Sequence, residues 1–367
     1  MDTSTQTLPD RDATQALGER IRQADAEGTP LRIVGGDTKA FYGRKVQGRS
    51  MEVETLSTRE HRGITTYDPV ELIVSARAGT PLAELEATLA EQGQMLPFEP
   101  PHFGAEATLG GMVAAGLSGP RRPWAGAVRD FVLGIRMIDR HGRSLRFGGE
   151  VMKNVAGYDL SRLVVGAQGT LGLVAEVSLK VLPRPAARHG LRLPMSREEA
   201  RQRLAEWGRR PLPISAAAWQ DGALNLRLEG GAGSVAATRR EFGGDDLEDD
   251  YWDTLRELRL PFFDTADPRP LWRLSLPQRA RLDIEGLDED TMLHDWAGAQ
   301  RWLRSDLDAG TLRDGVTRAG GHATCLTPGA AEPFTPLAPP LAKYHQRLKA
   351  ELDPHGIFNP GRLYGGL

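Results

Sequence analysis

The chain holds a single cysteine, Cys325, among 367 residues. One cysteine excludes an internal disulfide. It also cannot supply the cysteine ligands of an iron–sulfur cluster or of a cysteine-type zinc site. The histidines at 61, 102, 141, 189, 294, 322, 345 and 355 are scattered, and none forms HExxH or a close pair, so no metal site is expected. Charge of one sign is missing too. Lys and Arg number 46 against 49 Asp and Glu, a net −3, which leaves no basic field for nucleic acid. No apolar run approaches the roughly 20 residues of a membrane helix. The opening MDTSTQTLPDRDATQALGERI has neither the apolar core nor the positive start of a signal peptide. A cytoplasmic protein is expected, peripheral to the inner membrane only through partners.

What the chain has instead is glycine in clusters. ATLGGMVAAGLSGP (107–120), GAVRDFVLGIRMIDRHGRSLRFGGEVMKNVAGYDL (126–160) and GAQGTLGLVAEVSLK (166–180) interleave glycines with apolar and β-branched runs. Glycine permits close approach of a ligand or a second backbone at an entropic cost. Several such loops suit a long dinucleotide held along its length. Hydrophobic content of 40% with 26% charge is that of a globular protein, and the length predicts two domains.

Periodicity predicts a helix over 12–27 and a strand at 31–36 that runs into GGDT, whose amides form an anion nest. Further strands are read at 71–79, 131–138, 143–147 and 171–182. A helix over 82–92 is read as capped by Thr80–Pro81. PRPAARHG (183–190) reads as a linker. Beyond it, helices at 196–207 (N-cap Ser196) and 251–260 alternate with strands at 213–219, 223–229 and 271–276, as in a ferredoxin-like cap. A final helix is read over 341–352. GAGSVA (231–236) formally matches a Rossmann G-x-G-x-x-A, but the preceding strand alternates Leu224, Leu226, Leu228 as a half-exposed strand does, so it is read as a turn in the cap.

The motifs IVGGDTKAFYG (33–43), TLGG (108–111), the pair Arg129–Asp130, KNVAGYDL (153–160), GAQGTLGLV (166–174) and DPHGIFNPGRLY (353–364) resemble, in order, the FAD region of the vanillyl-alcohol-oxidase superfamily, the PCMH-type flavoproteins. GGHATC (320–325) and the ending FNPGRLY are similar to the smaller FAD-binding subunits of bacterial glycolate-oxidising complexes. The resemblance covers the first half of the chain and its last twenty residues or so. It implies an α+β fold: a two-lobed FAD domain over 1–186 (lobes about 1–55 and 56–186), a small ferredoxin-like α/β cap over 187–340, and a return segment over 341–367. It implies FAD held by Val34, Gly35, Gly36, Asp37, Thr38, Lys39, Pro101, Thr108, Leu109, Gly110, Gly111, Ala114, Gly119, Asp130, Lys153, Tyr158, Gly166, Gln168, Gly169, Thr170, Gly172, Val174 and Asn359. A side chain at Gly35 or Gly36 is expected to fill the space of the phosphates. No histidine lies within 31–50, where relatives carry a covalent linkage, so the FAD is expected to be non-covalent.

The resemblance further implies partners: a second FAD-containing catalytic subunit and an iron–sulfur subunit, acting together on a small 2-hydroxy acid, with this chain as electron relay or support. Metal-dependent relatives carry two histidines around a Gly-Asp-Gly-Asn stretch and a Glu-His pair before the last helix. Here one histidine, His322, stands at that strand, and PFTPLAPPLAKY replaces the pair. His322 is read first as lining the open face of the flavin or hydrogen-bonded in the cap. With Lys153 and Arg362 it completes the catalytic candidates. Two alternatives stay open: a stand-alone FAD oxidoreductase of a small hydroxy acid, and a non-catalytic scaffold subunit.

Overall fold

In the computed structural model, residues 10–48, 52–149 and 159–367 are described. The expected site residues Lys153 and Tyr158 lie outside them. Among the described residues, the N-terminal half carries a small and a large sheet, each with its own core.

The small sheet is the parallel pair Leu31–Val34 and Glu54–Ser57. Helix Thr14–Glu27 covers it with Leu17, Ile21 and Ala24, spaced at three and four residues on one helical face. Gly28 ends that helix in the left-handed region, at φ 69°, where a side chain is strained. Ile357 and Phe358 from the C-terminus complete the core. They are fixed by a buried clasp: the Lys349 ammonium donates to the Asp353 carboxylate (2.5 Å), Thr170 O (2.7 Å) and Phe358 O (2.9 Å). Asp353 in turn accepts from the amides of Ile357 and Phe358. The return of the C-terminus is therefore built into the first core.

The larger sheet is antiparallel, in the order Ile64–Asp68, Ile73–Arg77, Leu173–Lys180, Val132–Ile138, Ser144–Gly148. Helices Leu82–Glu91 and Leu109–Ala115 pack on it through Leu82, Leu85, Leu89, Leu109, Met112 and Val113. The expected Thr80 cap of the first helix is not formed. Thr80 Oγ1 accepts from Gly63 N instead (3.0 Å), and Pro81 begins the helix.

The cap sheet has eight strands, and its topology is a duplication. Strands Ala187–Pro194, Ile214–Gln220, Ala223–Gly230 and Asp245–Asp246 lie in the order 4-1-3-2 of a ferredoxin-like unit, with helices Arg197–Trp207 and Ala232–Phe242 as its crossovers. Strands Leu271–Ser275, Leu293–Asp295, Gln300–Arg304 and His322–Cys325 repeat that order, with helix Ala309–Arg318 before the last strand. The two units join at their second strands, Trp219 pairing with His294. The first cap strand starts at Ala187, so half of the expected linker is strand.

GAGSVA is not a turn: Gly231 is the N-cap of helix Ala232–Phe242. The strand before it is not half exposed either, because residues 223–228 are all buried. Leu224, Leu226 and Leu228 pack under the helices. Arg227, on the opposite face, is 1% exposed and ion-paired to Glu99 (2.9 Å) and Glu229 (3.1 Å). The strand is antiparallel to both neighbours, which no Rossmann unit allows. Glu99 belongs to the N-terminal half, so this buried cluster ties the cap sheet to the glycine-rich loops.

Candidate functional site

Where the small and large sheets meet, an open cleft of about 880 Å³, part of it open to solvent, separates the loops. Its first wall is the turn after strand Leu31–Val34. The amides of Gly35, Gly36, Asp37, Thr38 and Lys39 donate to no protein acceptor among the described residues. Asp37 sits at φ 58°, which turns the chain so that successive N–H groups form a nest. The second wall is helix Leu109–Ala115, whose N-cap Thr108 accepts from Gly111 N (3.3 Å). The third is 168–174, where Gln168 (φ 50°) and Gly169 (φ 70°) make the bend.

Asn359 locks these walls together. Its side chain accepts from Ile33 N (2.7 Å) and donates to Gln168 O (2.6 Å), so it positions two loops and its own amide group is spent on protein. The Gln168 side-chain carbonyl has no partner although it is buried. An unmet buried acceptor costs about 1–3 kcal/mol, and this oxygen sits beside Gly43 and Arg362, closed off from the cleft. Unused amides and three cations (Arg32, Lys39, Arg362) make this donor set suited to a dinucleotide.

The cations differ. Arg32 pairs with Asp37. Burial pulls the Lys39 ammonium down to about 8, against the attraction of Glu257, and it donates to His102 O (3.1 Å). Arg362 donates to the carbonyls of Lys39, Ala40, Tyr42 and Arg44. That spends its guanidinium on shaping the loop, and it is set aside as a catalytic candidate.

Of the expected cofactor residues, the cleft gathers Val34, Gly35, Gly36, Asp37, Thr38, Lys39, Thr108, Gly110, Gly111, Ala114, Gln168, Gly169, Gly172, Val174 and Asn359. Leu109 is fully buried in the core. Thr170 turns its hydroxyl to Ala167 O, Gly166 N binds Val113 O, and Asp130 accepts from Ala127 N within its own turn. None of these four lines the cleft. The glycine argument for 35 and 36 also needs correction. An added Cβ at Gly36 would run into the Glu106 carbonyl, and one at Gly35 into the Thr108 hydroxyl. These glycines let the turn close on segment 106–108; they do not themselves clear space for phosphates.

Pro101 and Gly119 line a second cavity of about 400 Å³, between the proline-rich loop and the cap sheet. Tyr42 belongs to both cavities and so marks their junction. From the cap, Arg273 donates to Tyr42 OH (2.9 Å) and, among the described residues, pairs with no carboxylate. Trp302 turns a buried indole N–H without a partner, and Asp295 adds a carboxyl group. Complete burial raises the Asp295 pKa to about 7, against hydrogen bonds from Trp296 N and Gln300; the charge of Glu99 adds to the rise. His322 stands opposite Ser275 on the edge strand, on the same face of the sheet as Arg273. Desolvation and then the Arg273 charge lower its pKa, and it lines neither cavity. The sequence reading missed Tyr42, Arg273 and Asp295. No local pattern marks them, since the long-range pairing of the cap sheet brings them together.

A family model described as FAD binding domain matches residues 12–148, which include the 35–39 turn and the 108–115 helix. Over 361 residues the chain is 54% identical to the glycolate oxidase subunit GlcE of Escherichia coli (strain K12), spanning 98% of this chain and 100% of that protein. The chain belongs to the GlcE family. It is thus an FAD-binding flavoprotein of the PCMH-type fold. The D-lactate dehydrogenase of Archaeoglobus fulgidus is 31% identical over 199 residues, 53% of this chain but 43% of that one. The glycolate oxidase subunit GlcD of Bacillus subtilis (strain 168) is 33% identical over 128 residues, 35% of this chain and 27% of that one. A solved alkyldihydroxyacetonephosphate synthase superposes on 94% of the chain and 74% of its own length with a TM-score of 0.65 at 16% identity, a likeness of fold alone. No helix of the described residues is long and apolar enough to cross a membrane.

Proposed function

We propose that this chain is the FAD-carrying subunit of a glycolate (2-hydroxy acid) dehydrogenase complex, relaying electrons for, or supporting, a second flavin subunit that oxidises the substrate. The observation that carries the reading is the cleft itself: five consecutive amides that, among the described residues, have no protein acceptor line it. The amides of 35–39 would hold the diphosphate, with Lys39 adding charge. Tyr42 would stand at the passage to the second cavity. When bound, FAD supplies a two-electron acceptor that can pass electrons on singly.

The binding is non-covalent in this reading, because no histidine lies in the turn and Cys325 is buried in the cap. The complex also contains an iron–sulfur subunit, since one cysteine leaves this chain unable to hold such a cluster. The division into an FAD domain to about 186, a cap to 340 and a return segment is supported by the separate eight-stranded sheet, whose first strand begins at Ala187. The complex is cytoplasmic, at the inner membrane only through partners. Oxidation of the hydroxy acid falls to the partner because, among the described residues, no three His, Cys, Asp or Glu side chains group as metal ligands.

One observation favours a second reading, a hydroxy-acid oxidoreductase in its own right: the unpaired Arg273 and the raised Asp295 in one small cavity could take a carboxylate and a proton. Reconstitution separates the two. In the first reading, glycolate-dependent dye reduction by the assembled complex is lost when this chain is omitted or carries no FAD. Full activity of the complex without this chain would overturn it.

A further inference from the structure

Outside the two cavities lies a wide groove of about 1,310 Å³, cut between helix Arg122–Ala125, helix Arg197–Trp207 and the turn at 296–299. Its lining is unlike the rest of the surface. Four arginines border it (Arg122, Arg209, Arg210, Arg279) and no Asp or Glu does, in a chain where acids outnumber bases 49 to 46. Elsewhere arginines are mostly tied into ion pairs; here, among the described residues, only Arg210 is, to Glu241 (2.7 Å). The floor is apolar, formed by Trp207, Trp296, Leu204 and Ile214, and Trp124 stands at the rim, 39% exposed. Arg122 lies over the Trp296 ring at 4.5 Å. Trp296 is held at φ 53° with its indole N–H on Gly119 O (3.0 Å), and Gly119 lines the cavity next to the cofactor cleft.

We propose that this groove docks another subunit of the same oxidase through an acidic segment carrying an aromatic or aliphatic anchor. The inference rests on the reading of this chain as a complex subunit. Trp and Arg are the residue types that dominate binding energy at interfaces. Unpaired arginines without local acids select an acidic partner and reject a basic one. A small anion would leave most of so wide a groove wet, and the net charge of the chain does not suit nucleic acid. Docking here puts the partner two residues, Trp296 and Gly119, from the second cavity, which meets the cofactor cleft at Tyr42; that is a route by which electrons leaving the flavin would be collected.

The test co-expresses the full chain with its partner subunits, the GlcD-type subunit tagged, and measures how much chain co-purifies. R209E/R279E should cut recovery by about tenfold or more at low salt, while its FAD content and melting temperature stay those of the parent. W124A should also lower it; R209K/R279K and R240E, the last an exposed arginine outside the groove, should not. If the double reversal disturbs folding, the W124A result decides. Unchanged recovery of R209E/R279E and W124A would overturn the groove while leaving the subunit reading intact. A parent chain that never co-purifies would overturn both.

Discussion

Lys39 is the residue whose chemistry is most exposed to test. Its pKa is depressed to about 8 by burial, so it is charged below that pH and neutral above it. A diphosphate in the nest favours the charged form, and FAD binding should therefore weaken as pH rises from 7 to 9.5, by a factor of about ten. Fluorescence titration checks this. Lys39→Arg, which stays charged, should flatten the profile. Gly111 offers a second test. An added Cβ there meets only Thr108 Oγ1, at 3.2 Å, on the cleft side. Gly111→Ala should keep or raise the melting temperature of the cofactor-free protein, since Ala is favoured over Gly in a helix by about 1 kcal/mol. It should also bind FAD about tenfold more weakly. Gly36→Ala should instead lower stability, because it collides with the Glu106 backbone. That distinction could not be read from sequence. GGDT announces a tight turn, but which glycine faces ligand and which faces protein depends on segment 106–108, seventy residues away.

Elements were legible where the signal is local. Ser196 caps its helix as read, accepting from Glu199 N at 3.2 Å, and Asp159 caps a short helix through Arg162 N. The strands at 213–219 and 223–229 are present within a residue. What failed was burial inferred from alternation. Arg227 and Asn225 looked like a wet face and are buried, Arg227 because Glu99 and Glu229 neutralise it. Prolines 183 and 185 suggested a longer linker than exists, since Ala187–Gly190 has no strand pattern of its own and is held by pairing with 227–230. The C-terminal clasp carries a prediction at this scale. Asp353→Ala leaves the Lys349 ammonium buried without its carboxylate, which should cost about 3–5 kcal/mol in urea unfolding. Because Lys349 also grips Thr170 O, FAD affinity should fall with it. A loss under 1 kcal/mol would mean that the return segment does not hold the first core.

For the whole molecule, the FAD lobes were legible because their glycine clusters are contiguous in sequence, and the doubled cap was not, because its 4-1-3-2 order is set by pairings between distant strands. The cofactor should come away intact: acid precipitation should leave all flavin in the supernatant, and colour kept by the pellet would disprove a non-covalent site. The division of labour is the central claim, and it is tested most directly by mixing the FAD-loaded chain with glycolate in the absence of oxygen, alone and with the GlcD-type subunit. If, as proposed, the partner supplies the base and the metal that prepare the hydroxyl, the former alone worth about 10²–10⁴-fold in rate, the isolated chain should keep its flavin absorbance and lose it only when the partner is added. Rapid bleaching of the isolated chain would contradict the account and move the reaction to the Arg273–Asp295 cavity of this subunit.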